Sequence, residues 1–502
     1  MSSIYGSDAM SGVVNIITNN NSAKHNTGIS LSNELGSYNY QKYNLNIIQK
    51  INKLSISGYI NYEKSKDDYD YNFFDGTVNA LKRRENSDYS YKNFNLSFLY
   101  KPDNNSSLKF YSDYSDNLRN IPGIETGTPS SLSVQKDNLW NTYLNYEHLF
   151  GNTLNFKTNF NYQDNLINYD NLPIIKSFYK NVTLSNNSQF IFKNVSETIL
   201  GYDLTYGVLN SNEVENNPER LQLGIYTVSN LKLLTNKTLL LFPSLRYDYF
   251  SDSKISNLSA RLGLNYNVLG KDFIYLKSNI GNNFRAPTFN ELFWNPGGNK
   301  NLLQEKSFSI DLGFIINYNF IFNNIFEINY IYNNITNKIV WIPNPTDFWS
   351  PDNIGNTEIK NLNFELKLFK QLTARIKFST DITLNFCKSL NDVQSIDNKF
   401  SEKQQIYVPG NSMKVNSGIE LFGFNLNFSY QYYSKRYIDL DNINYLPSTE
   451  LLDGNIGYNL SIKDITVNLR LEVNNIFNEN YQWISGYPMP LRNFNFGIQL
   501  KY

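Results

Sequence analysis

Apolar and polar residues alternate along most of this chain. Between positions 54 and 62, the apolar side chains of Leu54, Ile56 and Ile60 alternate with serine and asparagine. The same two-residue period recurs over 42–48, 93–100, 424–432, 467–473 and 493–502. Successive side chains of a β-strand point to opposite faces, so each segment is predicted to be a strand with one apolar and one polar face. The sequence therefore predicts an all-β protein.

The connections between these segments alternate in length. Short polar turns are predicted at 101–105, 269–272 and 461–464. Long irregular segments are predicted at 65–89, 118–136, 286–304, 341–352, 434–446 and 475–491. Membrane β-barrels have this asymmetry, with short turns at one end and long loops at the other.

The composition of the two faces separates a membrane barrel from a soluble β-sandwich or propeller. A soluble protein would expose a face rich in Lys, Glu and Thr, whereas the polar face here is mostly Asn, Ser and Tyr. The apolar face is rich in aromatics, which membrane barrels place at the lipid interfaces. At roughly 22 residues per strand with its connection, the length predicts a transmembrane antiparallel β-barrel of about 22 strands. Barrels of that width normally contain a plug in the lumen.

Charge and reactive residues narrow the function. The 502 residues have a formal net charge of +0, which gives no support for nucleic-acid binding. The basic cluster Lys82–Arg84 is interpreted as solvated loop charge. The single cysteine, Cys387, excludes an intrachain disulfide, and His25 and His148 are too few and too far apart for a metal site. No cofactor is expected.

Three segments carry a family resemblance. Residues 4–18 resemble the last strand of the plug of TonB-dependent outer-membrane receptors, with Ser11 in place of one glycine of a Gly-Gly pair. Residues 283–293 resemble a barrel motif at the start of a large loop, and 299–306 loosely resemble the return to the next strand. Residues 473–481, followed by the Gly486–Arg492 segment and a strand ending in Tyr502, resemble the family's C-terminus.

The resemblance implies two regions and a set of partners. Residues 1–20 would be the C-terminal remnant of the plug domain, and 21–502 the receptor β-barrel in the cell outer membrane. Implied partners are outer-membrane lipid, the TonB complex, the barrel assembly machinery acting on the strand that ends at Tyr502, and a small-molecule cargo. The TonB box and a signal peptide are not found in the chain, so we expect either that Met1 is not the native start or that the gene is truncated.

The resemblance also implies active import of a scarce, bulky nutrient, without covalent catalysis. Candidate cargo contacts are the loop aromatics, whose rings offer large rigid contact areas; they are Phe293, Trp294, Trp341, Trp349, Trp483 and Tyr487. Each of these residues has an alternative interpretation as part of an interfacial belt or of loop packing.

The cargo and the rival functions stay open at this point. Segments 341–344, 349–355 and 486–490 resemble cobalamin-receptor-like members, while the family at large favours iron–siderophore complexes or haem. Haem as the cargo is not supported, because the sequence has no pair of histidines in one loop. The rivals are a passive porin-like channel, a non-functional truncated receptor, and a barrel enzyme, which would need a Ser/His or Asp/His pair at the rim.

Overall fold

The chain forms a closed antiparallel β-barrel of 22 strands. The computed structural model describes residues 6–7, 10, 27–74, 79–125, 132–171, 175–193, 196–234, 238–270, 272–343, 349–393 and 402–502. Neighbouring strands pair in sequence order around the ring. The first strand closes the ring by pairing with the last, from Ser30↔Lys501 to Gly36↔Asn495. This confirms the predicted fold class and strand number.

Most strands belong to the barrel, and a few short ones form hairpins in its loops. The barrel strands are β1 (Thr27–Gly36), β2 (Tyr40–Ile51), β3 (Leu54–Ser65), β6 (Tyr89–Tyr100), β7 (Ser106–Ile121), β8 (Ser133–Phe150), β9 (Leu154–Asn171), β10 (Ile175–Lys193), β11 (Glu197–Ser211), β12 (Glu219–Leu233), β13 (Leu239–Phe250), β14 (Ile255–Asn267), β15 (Ile274–Arg285), β16 (Glu305–Asn319), β17 (Asn323–Pro343), β18 (Trp349–Thr373), β19 (Ile376–Val393), β21 (Asn411–Leu421), β22 (Phe424–Tyr433), β25 (Thr449–Ile462), β26 (Ile465–Asn474) and β29 (Asn493–Lys501). The loop elements are β4 (Asp70–Phe74), β5 (Asn79–Arg83), β20 (Lys403–Gln404), β23 (Arg436–Tyr437), β24 (Tyr445–Leu446), β27 (Gln482–Ile484), β28 (Tyr487–Pro488), a 3₁₀ turn at Ser37–Asn39 and the helix α1 (Phe289–Phe293).

The register separates a polar lumen from an apolar outer face. On the lumen side, Asn44, Asn61 and Asn93 meet across β2, β3 and β6, with the Nδ2 of Asn61 donating to Asn44 at 2.6 Å and that of Asn93 donating to Asn61 at 3.0 Å. On the outer face of the same strands, Ile60 pairs directly with Phe94, and each side chain is about half exposed. The alternation read from the sequence therefore distributes side chains between a hydrogen-bonded wall and an apolar surface.

Aromatic rings mark the outer face near the short turns. Pairs in contact include Phe98 with Phe110, Phe156 with Phe190, and Phe424 with Tyr458, at ring-centroid distances of 6.1, 4.9 and 4.6 Å. Such belts are expected where a barrel meets the membrane interface. Among the described residues, no helix is both long and apolar enough to cross a bilayer.

The prediction of a loop over 341–352 is wrong at both ends of that segment. Trp341 lies on β17 and Trp349 on β18, and the two strands pair up to Pro343↔Trp349. Register shifts between Ile335 and Ile339 let the ladder continue past an irregular step. The paired strands therefore continue into the segment that was predicted to be a loop. The segment 118–136 is likewise shorter as a loop than predicted, because β7 runs to Ile121 and β8 begins at Ser133.

The predicted plug remnant lies largely outside the described residues. Of the first 20 residues, only Gly6, Ser7 and Met10 are described. Gly6 has a φ of +78°, a backbone conformation that favours glycine. The division at residue 20 stays a prediction.

Candidate functional site

The loops at the long-loop end form two assemblies on opposite arcs of the barrel. We call one the helix side, comprising 212–218, α1 with its loop 286–304, and the outer ends of β17 and β18. We call the other the hairpin side, comprising β4–β5, 122–125, β23–β24 and β27–β28. Strands β11 to β18 carry the helix side. Strands β22 to β29 and β3 to β8 carry the hairpin side, and β1 and β2 connect these two groups of strands by pairing with β29 and β3.

The helix side is built around a short helix with a complete capping box. Thr288 caps α1 by accepting from the backbone N–H of Glu291, and the Glu291 carboxylate accepts from the backbone N–H of Thr288 at 2.7 Å. Arg285 donates to both carboxylate oxygens of Glu291 at 3.0 Å and to those of Glu305 at 2.8 and 2.9 Å. Glu305 also accepts from the backbone N–H of Ile339 at 2.8 Å. Through Glu291 and Glu305, Arg285 therefore links the loop 286–304 to β15, β16 and β17.

Four of the six predicted cargo contacts lie on the helix side, in different environments. Phe293 packs against the buried cluster formed by Leu292, Leu302 and Ile339. Trp294 stacks on Tyr179 at 6.3 Å and forms a β-bridge with Val214. Trp341 is half-buried on β17, and Trp349 is 60% exposed. Of these four, Trp349 offers the most surface to a ligand.

The hairpin side is organised around a buried arginine. Arg84 is 2% exposed, pairs with Glu125, and donates to the carbonyl of Gly123 at 2.9 Å. Tyr69, also buried, donates its hydroxyl to the carbonyl of Pro488 at 2.7 Å. The interpretation of the 82–84 cluster as solvated charge is therefore wrong for Arg84, because folding of β4–β5 turns that residue inward while Arg83 stays exposed.

The remaining two predicted aromatics lie on the hairpin side. Trp483 packs edge-on against Tyr433 at 5.0 Å and Tyr481 at 5.5 Å, and its ring lies 4.8 Å from the guanidinium carbon of Arg436. The ring of Tyr487 lies 5.8 Å from the guanidinium carbon of Arg84. The six residues therefore fall into two separate groups, four on the helix side and two on the hairpin side.

An ion-pair cluster in the lumen wall was not anticipated. Arg246 on β13 is 2% exposed and contacts Asp248 at 2.7 Å and Asp203 at 2.5 Å. A Cβ added at Gly224 on β12 would lie 2.0 Å from its Nη2 atom, so a larger residue there would require the guanidinium to move. The sequence signal was an Arg-Tyr-Asp triplet, which puts opposite charges on one face of a strand whose neighbours are mostly uncharged.

Gly6 lies against this cluster inside the barrel. A Cβ added at Gly6 would lie 2.7 Å from Nη2 of Arg246. Next to it, the hydroxyl of Ser7 accepts from the backbone N–H of Ala286, just beyond β15, at 3.3 Å. Gly6 and Ser7 therefore contact the lumen wall beside the helix side.

The carboxyl group of Asp67, next to the hairpin side, predicts how the stability of the protein depends on pH. Burial raises the pKa of Asp67 to about 6 from 3.8, with the neighbouring Asp68 adding to the rise and Arg84 opposing it. Between these pH values the folded protein holds a proton that the unfolded chain has released, so stability falls as pH rises from 4 to 7, by about 2–3 kcal/mol. We expect the thermal unfolding midpoint of Asp67→Asn to depend less on pH in this range than that of the parent. A parent midpoint that rises with pH would contradict the assignment.

His148 has a partner at the opposite end of the barrel. Its Nδ1 lies 2.8 Å from the hydroxyl of Ser106, and the Asp103 carboxylate contacts that serine and its backbone N–H. The carboxylate thus caps a short turn and does not orient the imidazole as a catalytic triad requires. The contact fits a structural role.

Comparisons with known proteins agree with the geometry. The family model for the TonB dependent receptor-like β-barrel matches residues 14–476. The vitamin B12 transporter BtuB of Vibrio vulnificus (strain YJ016) is 33% identical over 103 residues, 20% of this chain and 16% of that protein. BtuB of Photobacterium profundum is 26% identical over 235 residues, 46% of this chain and 36% of that protein. The matched stretches therefore span well under half of either relative.

Solved structures share the fold at low sequence identity. The siderophore receptor PiuA from Acinetobacter baumannii superposes with a TM-score of 0.80 at 14% identity, covering 100% of this chain and 85% of that one. The FrpB iron transporter from Neisseria meningitidis (F3-3 variant) gives 0.76 at 14%, covering 95% and 82%. The copper transporter OprC gives 0.75 at 13%, covering 95% and 80%. The proteins matched are receptors and transporters, which agrees with the prediction that the chain is not an enzyme. With its family model matched along most of its length, the chain belongs to the TonB-dependent receptors as an outer-membrane β-barrel.

Proposed function

We propose that the protein imports a bulky nutrient of the iron–siderophore or cobalamin class by energy-coupled transport with the TonB complex. One observation carries the proposal over a passive porin: Gly6 lies in the lumen against the buried Arg246 cluster. A passive channel has no need of an N-terminal segment seated on its wall. A transporter that opens by moving such a segment needs a defined seat for it.

The two loop assemblies indicate where the cargo would bind. Both assemblies carry candidate aromatic contacts, with the exposed Trp349 on the helix side and Trp483 and Tyr487 on the hairpin side. We propose that cargo binds between the two assemblies and then passes into the lumen. The BtuB relatives favour cobalamin and the structural relatives favour iron complexes, so both belong in the test.

The functional test is energised uptake. Cells that depend on this receptor should accumulate labelled cyanocobalamin or a ferric siderophore, and a protonophore should abolish that accumulation. Uptake that is insensitive to the protonophore, or uptake of small solutes alone, would favour the porin-like channel. Absence of any uptake or binding would favour a non-functional receptor.

A substitution at Gly6 tests whether its contact with Arg246 holds the N-terminal segment on the lumen wall. Gly6→Val introduces a branched side chain at a φ of +78° and within 2.7 Å of Arg246, so we expect the segment to leave the wall. The expected result is a higher ion conductance in planar bilayers than that of the parent. Gly207→Val is the matched control, because a Cβ there meets no atom closer than 3.8 Å. Equal conductance of the two variants would contradict the role given to Gly6.

A further inference from the structure

We propose that Arg436 binds an anionic group of the cargo at the mouth of the barrel, an inference that rests on the import function proposed above. Arg436 is 3% exposed. Its Nη2 donates to the hydroxyl of Thr449 at 3.1 Å and to the carbonyl of Gln482 at 2.9 Å. Its Nε is buried and has no hydrogen-bond partner.

The charge environment of Arg436 differs from that of the other fully buried arginines. Arg84 pairs with Glu125, and Arg246 pairs with Asp203 and Asp248. Across the described part of the chain, no carboxylate lies within ion-pair distance of Arg436. A buried cation without a counter-ion is costly, and proteins rarely keep one without a ligand or a function. Burial accordingly lowers the pKa of Arg436.

The position of Arg436 places this charge toward the cargo path. Thr449, its hydrogen-bond partner, pairs with Tyr433, and both lie on the lumen face, since they alternate with the outward-facing Tyr432 and Glu450. Trp483 lies over the guanidinium at 4.8 Å and contacts Tyr433. Trp483 thus covers a cation that faces the mouth, and cargo that displaces the ring reaches the free Nε–H.

The chemistry of the site defines the ligand class. A guanidinium with a free donor suits a carboxylate, a catecholate oxygen or a phosphate, each of which supplies charge and hydrogen-bond acceptors together. A neutral cargo would leave the cation uncompensated. Arg436 therefore favours an anionic iron complex over an uncharged cobalamin.

The experiment compares two probes on the purified barrel in detergent. The probes are ferric enterobactin, which is anionic, and cyanocobalamin, which is uncharged. Arg436→Met is expected to weaken binding of ferric enterobactin by at least about tenfold, as loss of one charge-assisted hydrogen bond would do. Arg436→Lys, which keeps the charge but not the Nε–H donor, should recover part of that loss. Lys435→Met is the matched control, because it removes the same charge from an exposed neighbour that lies over the rings of Tyr437 and Tyr445.

A second measurement keeps the charge inference separate from the import function. Sodium phosphate, at constant ionic strength against sodium chloride, should raise the thermal unfolding midpoint of the parent more than that of Arg436→Met. If neither probe binds but phosphate stabilises the parent selectively, the anion site stands and the proposed import of these cargoes fails. If the parent binds only cyanocobalamin, or if Arg436→Met and Lys435→Met behave alike with ferric enterobactin and phosphate, the anion site is overturned.

Discussion

Replacing Arg246 with methionine is expected to destabilise the barrel by about 3–5 kcal/mol, the usual effect of removing one partner from a buried ion pair. The substitution leaves Asp248, which is fully buried, and Asp203 facing each other without a cation. Their mutual repulsion adds to the cost of burying each charge. The measurement is the urea concentration at which the protein unfolds from detergent micelles or lipid vesicles.

An ion pair on the lumen face that is much more exposed to solvent provides the control. Arg470 contacts Glu472 on β26, but its side chain is 51% exposed. Because solvent screens such a pair, Arg470→Met should cost less than about 1 kcal/mol. Equal losses for Arg246→Met and Arg470→Met would mean that burial does not distinguish the two sites.

Alternation predicted the strands, and the composition of their two faces together with the lengths of the connections predicted the membrane barrel. Each strand places an apolar set on lipid and a polar set in the lumen, and a shift of one residue would exchange the two sets. The Asn44, Asn61 and Asn93 row shows why asparagine is suited to the inner face, since the amide of Asn61 donates to Asn44 on one neighbouring strand and accepts from Asn93 on the other. The register is therefore encoded locally in every strand.

The loops could be predicted less well, because their contacts join residues far apart in the chain. Arg84 meets Glu125, and Tyr69 meets Pro488, and nothing in the segment 82–84 itself indicates burial. The same holds for the separation of Trp349 from Trp483, which depends on how the ring of strands closes. One local signal was available and missed: Thr288 and Glu291 have the spacing of a capping box and mark the start of α1.

The arginines of the loops at the mouth differ in whether a carboxylate of the chain compensates their charge. Arg84 and Arg285 hold loops together through carboxylates of the chain itself, so their charges are already compensated. Among the described residues Arg436 has no carboxylate partner, and we propose that its charge is compensated by an anionic group of the cargo. Compensated cations give the loops a fixed shape, and that shape determines where the remaining cation is presented.

Arg285→Met is expected to release the helix side and to cost about 3–5 kcal/mol. The change leaves the carboxylates of Glu291 and Glu305, both buried, without their shared cation. Glu305 then holds the backbone of Ile339 less firmly, so the loop 286–304 and the tip of β17–β18 should loosen together. Hydrogen exchange in 286–304 should rise, while exchange on the hairpin side stays as in the parent.

Two variants decide whether the geometry of Arg285 or only its charge matters. Arg285→Lys keeps the charge but cannot donate to two carboxylates in forked geometry, so we expect an intermediate loss of stability. Lys300→Met removes a cation from the same assembly, where Lys300 contacts Glu215 at 3.2 Å with both side chains largely exposed, and should cost less than about 1 kcal/mol. If Lys300→Met loosens 286–304 as much as Arg285→Met does, the loop is held by general charge attraction rather than by the Arg285 bridge between the carboxylates.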